Sequence, residues 1–436
     1  MEWYISLTLV MGSFLSLVVI GVPIVFALFS VTIVSSYFLM GGASGVELLI
    51  DSIYNSLTVF VLLPITLFIL MGEVMFRSGI AMQMIDTIDQ WMGRLPGRMS
   101  LLAVASGAVL ATLSGASIGS TAMLGSTLAP SMEKRGYRKP MILGPILGSG
   151  GLAIMIPPSG LGVILAVLAN VSVGKLLIAI IIPGILMALM YSAYIVSRCT
   201  LDPSLAPSYE VKRTPVKLRL LLTFKYVVPL SFLIFLVTGM IFVGVATPTE
   251  AAALGAAGAF VVAFCYQGLS RKVTAGTLEN TLRISVMVLV ILAASQSFSQ
   301  ILAFTGATRV LVAWASSLPV PPIVVIIAMQ AVVFVLGGFI NGVPLMMITL
   351  PIFMPVVTAL HYDPIWFCVI MLINVETAQL TPPFGILLFV MKGVASPDTT
   401  MMQIIGAAMP FIIMNIVAMG LLMLFPAIAL YLPSLM

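Results

Sequence analysis

Four short polar interruptions inside otherwise apolar sequence hold most of the residues that could do chemistry in this chain. The first, Leu113-Ser114-Gly115-Ala116-Ser117-Ile118-Gly119-Ser120-Thr121, separates apolar stretches at 99–113 and 122–132. At 1.5 Å per residue neither stretch reaches more than about 22 Å, short of the roughly 30 Å of a bilayer core. The economical reading is a re-entrant hairpin over 99–132 whose half-helices meet near mid-membrane. Unwound backbone at that depth is tolerated only where it is buried in protein or lines a polar cavity, which makes the tip a candidate binding site. The same small residues could instead form the packing face of one kinked helix, and the motif alone does not separate the two.

A second tip is expected at Gly337-Gly338-Phe339-Ile340-Asn341-Gly342-Val343-Pro344, inside a hairpin over 321–358. Two further spans, 140–169 and 364–394, are broken at Ile156-Pro157-Pro158-Ser159 and at Leu380-Thr381-Pro382-Pro383. Thr381 is placed to cap a half-helix whose first turn holds the two prolines. The Pro-Pro pairs could also be simple kinks. Four half-helix starts converging in one place would each bring unpaired N–H groups and about half a positive charge, which suits a carboxylate. The half-helices that end at the breaks present carbonyl oxygens, which suit a small hard cation such as Na+. One tip offers the hydroxyls of Ser114 and Ser117 and the other the amide of Asn341, so two ion sites of unequal chemistry are expected. Glu376 lies within a span beside a break, where an acid is costly and is a functional candidate. Glu250 reads instead as the N3 partner of Thr247 in a capping box, and Glu73 and Lys392 as interfacial.

The elements that must position these residues are membrane helices. The chain has 436 residues, 61% hydrophobic and 8% charged, with a mean hydropathy of +1.22. Soluble domains carry about 25% charged residues, so this is an all-α integral membrane protein that crosses many times. The net charge of +5 sits in a few places, which points to positive-inside topology rather than nucleic-acid binding. Cys199, Cys265 and Cys368 are scattered, with neither a disulfide framework nor a metal site. No nucleophile–base–acid set and no GxxxxGK[ST] loop is present, so the chain does not read as an enzyme, and an ion gradient is a better energy source than ATP.

The second half repeats the first at an offset of 225. Pro23 lands on Pro248, Pro96 on Pro321, Pro130 on Pro355, Tyr137 on Tyr362, Pro157 and Pro158 on Pro382 and Pro383, and Gly160 on Gly385. Proline and glycine fix backbone geometry, so shared placement implies shared breaks. Where one copy is basic the other is neutral or acidic: Lys134, Arg135, Arg138 and Lys139 map to Ala359, Leu360, Asp363 and Pro364. By the positive-inside rule equivalent loops lie on opposite sides, so the copies are inverted. This predicts a first repeat at 1–197, a cytoplasmic linker at 198–225 with six Lys/Arg, and a second repeat at 226–436. Each repeat is read as five crossings, one hairpin and one broken helix, a plan found in secondary transporters.

These residues resemble the large membrane subunit of tripartite ATP-independent periplasmic (TRAP) transporters. The likeness runs over nearly the whole chain. It is carried by Leu70-Met71-Gly72-Glu73, Ser114-Gly115-Ala116-Ser117, Met132-Glu133-Lys134-Arg135-Gly136-Tyr137, Ile156-Pro157-Pro158-Ser159, Pro183-Gly184, Thr247-Pro248-Thr249-Glu250-Ala251-Ala252 and Leu380-Thr381-Pro382-Pro383-Phe384-Gly385. The resemblance implies an elevator-type, Na+-coupled carrier in a bacterial inner membrane. It also implies a small four-helix membrane subunit and a periplasmic substrate-binding protein as partners. Implied substrates are small organic acids such as C4-dicarboxylates and sialic acid. The sequence departs from the family pattern at Asn341, where an acid is common, and at Ala153 and Ala378, where glycine is usual.

The resulting expectation is a first Na+ site at Ser114, Gly115, Ser117, Gly150, Ala153 and Pro157, and a second at Asn341, Gly342, Thr377, Ala378 and Thr381. An anionic substrate is expected among Ser114, Ala116, Ser159, Asn341, Glu376 and Pro383, with lipid around the whole. A carrier that needs no binding protein, whether anion/sodium symporter or sodium/proton exchanger, is the alternative, and a non-transporting scaffold subunit a more distant one. The orientation is testable in intact cells. A cysteine replacing Ser208 in the linker is expected to escape membrane-impermeant maleimide, and strong labelling from outside would overturn it.

Overall fold

The structure is a computed structural model and describes residues 3–93, 95–114, 117–207, 215–267, 269–383 and 385–436. It is built of helices, with no strand among the described residues. Six helices are long and apolar enough to cross a membrane on their own, or eight if each sharply bent pair is one span, counted among the described residues.

The helices fall into two groups by what they pack against. An inner group surrounds Lys139–Met155 and Pro364–Gln379, whose residues are buried almost without exception from Met141 to Met155 and from Trp366 to Gln379. Helices apolar on every side belong in an interior, and these two show no polar face to direct outward. Against them pack Arg98–Ser114, Ser117–Lys134, Pro322–Gly337, Gly342–Ala359, Ile181–Leu201 and Met401–Leu424. The outer group comprises Ile24–Leu39, Ala43–Leu57, Leu63–Arg77, Val228–Phe242, Pro248–Gln267 and the 34-residue helix Arg271–Phe304.

Both candidate broken spans are interrupted. Lys139–Met155 is followed by Gly160–Leu168 at a bend of 49°. Pro364–Gln379 is followed by Ile386–Val394. The Pro157–Pro158 and Pro382–Pro383 peptide bonds are both cis. A left-handed residue closes the turn before each span, Gly136 (φ 77°) in one and His361 (φ 59°) in the other.

The two broken spans run antiparallel. At the start of the first, the Lys139 ammonium bonds Glu133 (2.7 Å), Thr399 (2.8 Å) and Asp398 (3.2 Å), the last two lying just past the end of the second. Arg138 N–H donates to the Leu205 carbonyl (3.0 Å), which brings the linker to the same end of the molecule. Asp398 is held below its ordinary carboxylate value by the Ser396 hydroxyl and the Lys139 ammonium, so its contribution is present near neutral pH and is lost as pH falls through that lowered value. At the opposite end Ala169 and Asn170, which close the first span, border the same open cavity as Pro364, which opens the second.

Several local expectations are corrected. The hairpin legs are longer than the apolar stretches suggested: the first hairpin has legs of 17 and 18 residues, Arg98–Ser114 and Ser117–Lys134. The helix starts at Ser117, so most of the polar tip is already helical, and it runs on past Pro130 to Lys134. The second hairpin comprises Pro322–Gly337 and Gly342–Ala359, and the 18-residue Gly342–Ala359 leg meets the length test for a span. The linker is shorter than 198–225, because helices enter from both ends, to Leu201 and from Val216. Residues 43–57, to which the sequence assigns no element, form the helix Ala43–Leu57. Its counterpart at the offset of 225 is the first half of the unbroken Arg271–Phe304 helix. The difference has a local cause: Pro64 sits in the first turn of Leu63–Arg77, where a following helix can start but a preceding one cannot continue, and its counterpart is Leu289.

Candidate functional site

Both hairpin tips and the first break open on one cavity of about 350 Å³ between the two groups of helices. Ser117, Ile118 and Gly119 come from the first tip, Asn341 and Val343 from the second, and Pro158 and Gly160 from the first break. Gln379, the last residue of the helix before the second break, completes the inner wall. The outer group contributes Phe68, Gly72 and Glu73 from one helix and Asn280, Ile284 and Val288 from another. No lysine or arginine is among the lining residues.

Three helix starts therefore face this space. Ser159 caps Gly160–Leu168, its hydroxyl accepting from Gly162 N–H at 3.1 Å. Asn341 caps Gly342–Ala359, its Oδ1 accepting from Gly342 N–H at 2.6 Å. The third start is Ser117 itself. Glu73, expected at the interface, instead forms part of the cavity wall, where Asn280 Nδ2 (2.6 Å) and Arg77 Nε (2.8 Å) donate to its two oxygens.

Behind the cavity the two halves meet through an acid. The Ser117 hydroxyl donates to Glu376 Oε2 at 2.8 Å, and Gln379 Nε2 approaches the same oxygen at 3.4 Å. Glu376 is fully buried, no Lys, Arg or His pairs with it among the described residues, and its Oε1 has no hydrogen-bond partner there. The buried Thr121 hydroxyl, one turn on from Ser117, is unpartnered as well.

Glycine makes this meeting possible. A Cβ on Gly151 would stand 2.9 Å from Glu376 Cγ, and one on Gly150 would stand 2.2 Å from Thr121 Oγ1. Gly151 and Glu376 are themselves 225 positions apart, so the side chain present in one half fills the room its counterpart leaves empty. The contact of Gly150 with Ser117 and Thr121 has its counterpart, at the same offset, in the contact of Gly342 with Val375.

The remaining site residues fall out as follows. Gly115 and Ala116 lie outside the described residues; Ser114 ends the first leg of its hairpin. Ala153 and Pro157 are buried, but Pro158 rather than Pro157 reaches the cavity. Thr381 does not cap a helix: its hydroxyl donates to the Thr377 carbonyl (2.8 Å), and Thr377 in turn donates to Ile373 (2.6 Å). The next helix begins only at Ile386 with no side-chain cap, because the two prolines sit in the bend and not in its first turn. Ala378 packs against Gly337, whose added Cβ would be 2.5 Å from that of Ala378; a glycine on the neighbouring leg makes the room. Pro382 and Pro383 lie against Gly338 of the second tip. The residues not foreseen are Thr121, Gly151, Gln379 and the outer wall of Phe68, Glu73, Asn280 and Ile284. The signal for Gly151 was available, since the offset maps Glu376 onto it.

A family model described as "Tripartite ATP-independent periplasmic transporter, DctM component" matches residues 11–428. The chain belongs to this family. It is 31% identical over 378 residues to the C4-dicarboxylate TRAP transporter large permease protein DctM of Pseudomonas aeruginosa, covering 86% of both chains. It is 28% identical to the ectoine TRAP transporter large permease protein TeaC of Halomonas elongata, over 98% of this chain and 99% of that one. Its fold is similar to that of the YdaH transporter of Alcanivorax borkumensis (TM-score 0.66, 15% identity, 88% and 89% covered). The chain is thus a multi-pass membrane protein, a TRAP large permease of the bacterial inner membrane, and its relatives are permeases rather than enzymes.

The Gly151–Glu376 contact yields a stability test. Gly151→Ala is expected to cost about 1–3 kcal/mol from overpacking. In a Glu376→Ala background, where the opposing Cγ is gone, the same substitution is expected to cost much less. Thermal unfolding of the four proteins in detergent measures this; equal costs in both backgrounds would show that the two positions do not compete for space.

Proposed function

We propose that this TRAP permease is the carrier subunit of a sodium-coupled uptake system for a small organic acid, loaded by a soluble periplasmic binding protein and completed by a small membrane subunit. The observation that carries the reading is the single cavity onto which three helix starts open. With no basic side chain in its lining, the cavity can hold a carboxylate through such N–H groups, the dipoles behind them and neighbouring hydroxyl and amide donors, and three helix starts converge on it. A C4-dicarboxylate is the substrate named for a relative at 31% identity, and an acid of that class fits the cavity's chemistry.

Sodium coupling draws support from Glu376 and the tips. A carboxylate buried in a membrane protein without a cationic partner is costly unless a cation or proton compensates it, and here one oxygen is left over. The hydroxyls of Thr377 and Thr381 spend their protons on carbonyls and keep lone pairs for an ion. The Gly337–Ala378 fit keeps the second tip close to its break although glycine is absent at 378.

Inverted repeats are favoured by the antiparallel broken spans and by the face-to-face placement of Gly151 and Glu376. A residue that touches its own counterpart lies on the axis relating two copies. An elevator movement is favoured by the position of the cavity, which lies between an inner group that bears every tip and break and an outer group that bears none.

The test is uptake in proteoliposomes that contain the permease and its small subunit, supplied with binding protein carrying an acid chosen because it raises that protein's melting temperature. An inward sodium gradient is expected to drive uptake, and Ser117→Leu to remove most of the sodium-dependent rate. Unchanged sodium-dependent uptake by Ser117→Leu would take the first tip out of the site. Undiminished uptake without the binding protein would instead identify a self-sufficient carrier.

A further inference from the structure

A second and larger cavity, about 920 Å³, lies between the same two groups of helices, with Leu48, Asp51, Asn55, Gln296 and Gln300 on its outer wall and Ala166, Val167, Asn170, Val171 and Ser172 on its inner one. Two elements connect it to the first cavity. The short helix Gly160–Leu168 has its start, Gly160 and Leu161, at the first cavity and its last turn, Ala166 and Val167, at the second. The long helix Arg271–Phe304 passes both: Asn280, Ile284 and Val288 border the first, and Leu292, Gln296 and Gln300 border the second.

Those six residues form one ridge of every fourth position on a single unbroken helix. The two groups of three are twelve residues apart, which is about 18 Å of rise, and such a ridge slants at roughly 26° to the helix axis. The chemistry of the wall also recurs. At the first cavity it offers a carboxylate, Glu73, and an amide, Asn280; at the second a carboxylate, Asp51, and the amides Asn55, Gln296 and Gln300. Neither cavity is lined by a lysine or arginine. The second cavity also lacks the converging tips, so it is not built to hold an anion by itself.

We propose that the second cavity is the place where the substrate-bearing tips face the outer group in the alternate state, with Gln296 and Gln300 donating to the substrate's carboxylate oxygens. These amides would stand to the alternate state as Asn280 stands to the present one. The inference rests on the elevator reading above and adds to it the distance travelled, the slanted path and the residues met at the far end. The unbroken helix is what makes the path continuous. Its counterpart in the first half is interrupted at 58–62, and residues on both sides of that interruption border one cavity or the other: Leu48 to Leu62 the second, Phe68 to Phe76 the first.

The experiment uses cysteine pairs in a background with Cys199, Cys265 and Cys368 replaced by alanine, treated in membranes with a bifunctional thiol reagent. Val343→Cys is expected to join Ile284→Cys, since both border the first cavity here, and also to join Gln296→Cys in the population that has moved. Sodium with succinate, a C4-dicarboxylate probe, is expected to change the ratio of the two products. If the 343/284 pair forms and the 343/296 pair never does, with or without sodium and succinate, the tips do not travel along this ridge and the assignment of the second cavity is overturned; the elevator reading itself fails if protein locked by the 343/284 crosslink still transports at the full rate. In the second arm the double variant Gln296→Leu with Gln300→Leu is compared with wild type and with the conservative Gln296→Asn in the complete uptake system. The leucine variant is expected to raise the KM for presented substrate at least several-fold at an unchanged melting temperature, and the asparagine variant to retain most of the affinity. If the 343/296 pair forms but the leucine variant leaves KM unchanged, the movement stands and the assignment of these amides is overturned.

Discussion

Two interrupted helices, Lys139–Met155 and Pro364–Gln379, cross in opposite directions at the centre of this molecule, and the rest of the structure depends on how that crossing is filled. An interior so apolar has little to offer a charged group, yet Glu376 is placed there. It is tolerated because the facing helix presents Gly150 and Gly151, whose missing side chains make the space, and because Ser117 reaches across from a hairpin to donate to one oxygen. Remove the room and the acid would be crowded; remove the donor and only the long contact from Gln379 Nε2, at 3.4 Å, would remain to it.

The same crossing accounts for the position of the candidate site. Each broken span ends its first half close to a hairpin tip, so the three helix starts that open on the 350 Å³ cavity are brought there by the inner group alone. The outer group contributes a wall with only a few polar atoms, of which Glu73 is held by Asn280 and Arg77. A ligand would therefore take most of its polar contacts from one body and meet the other mainly through apolar surface. That asymmetry is what the proposed sliding of one body on the other requires, since the ligand would stay with the body that holds it.

Much of this was legible in the sequence, because proline, glycine and charge act locally. The breaks at Pro157-Pro158 and Pro382-Pro383, the tip at Asn341 and the membership of a transporter family follow from residues that dictate backbone or solvent preference wherever they stand. Less legible was whatever depends on a neighbour distant in sequence. The tip at 113–121 read as unwound because Ser and Gly are poor helix formers, but Ser117 begins a helix whose packing outweighs propensity. Thr381 had the right type and place for a cap, yet the carbonyl of Thr377 lay closer. Glu73 read as interfacial on hydropathy alone; only the arrival of Asn280 from 207 positions away makes it part of a cavity. The partnership of Ser117 with Glu376 spans 259 positions, and no spacing rule reaches that far.

The contact between position 151 and position 376 carries a consequence for ancestry. The two positions are counterparts at the offset of 225 and touch each other, and a Cβ added at Gly151 would already stand 2.9 Å from Glu376 Cγ. If the two halves descend from one ancestral unit, as the proposed inverted repeats imply, two identical chains facing each other here would have set two acids in one small, dry space, at the cost of keeping one of them protonated. With both halves in one chain, position 151 can stay glycine while position 376 carries the acid alone.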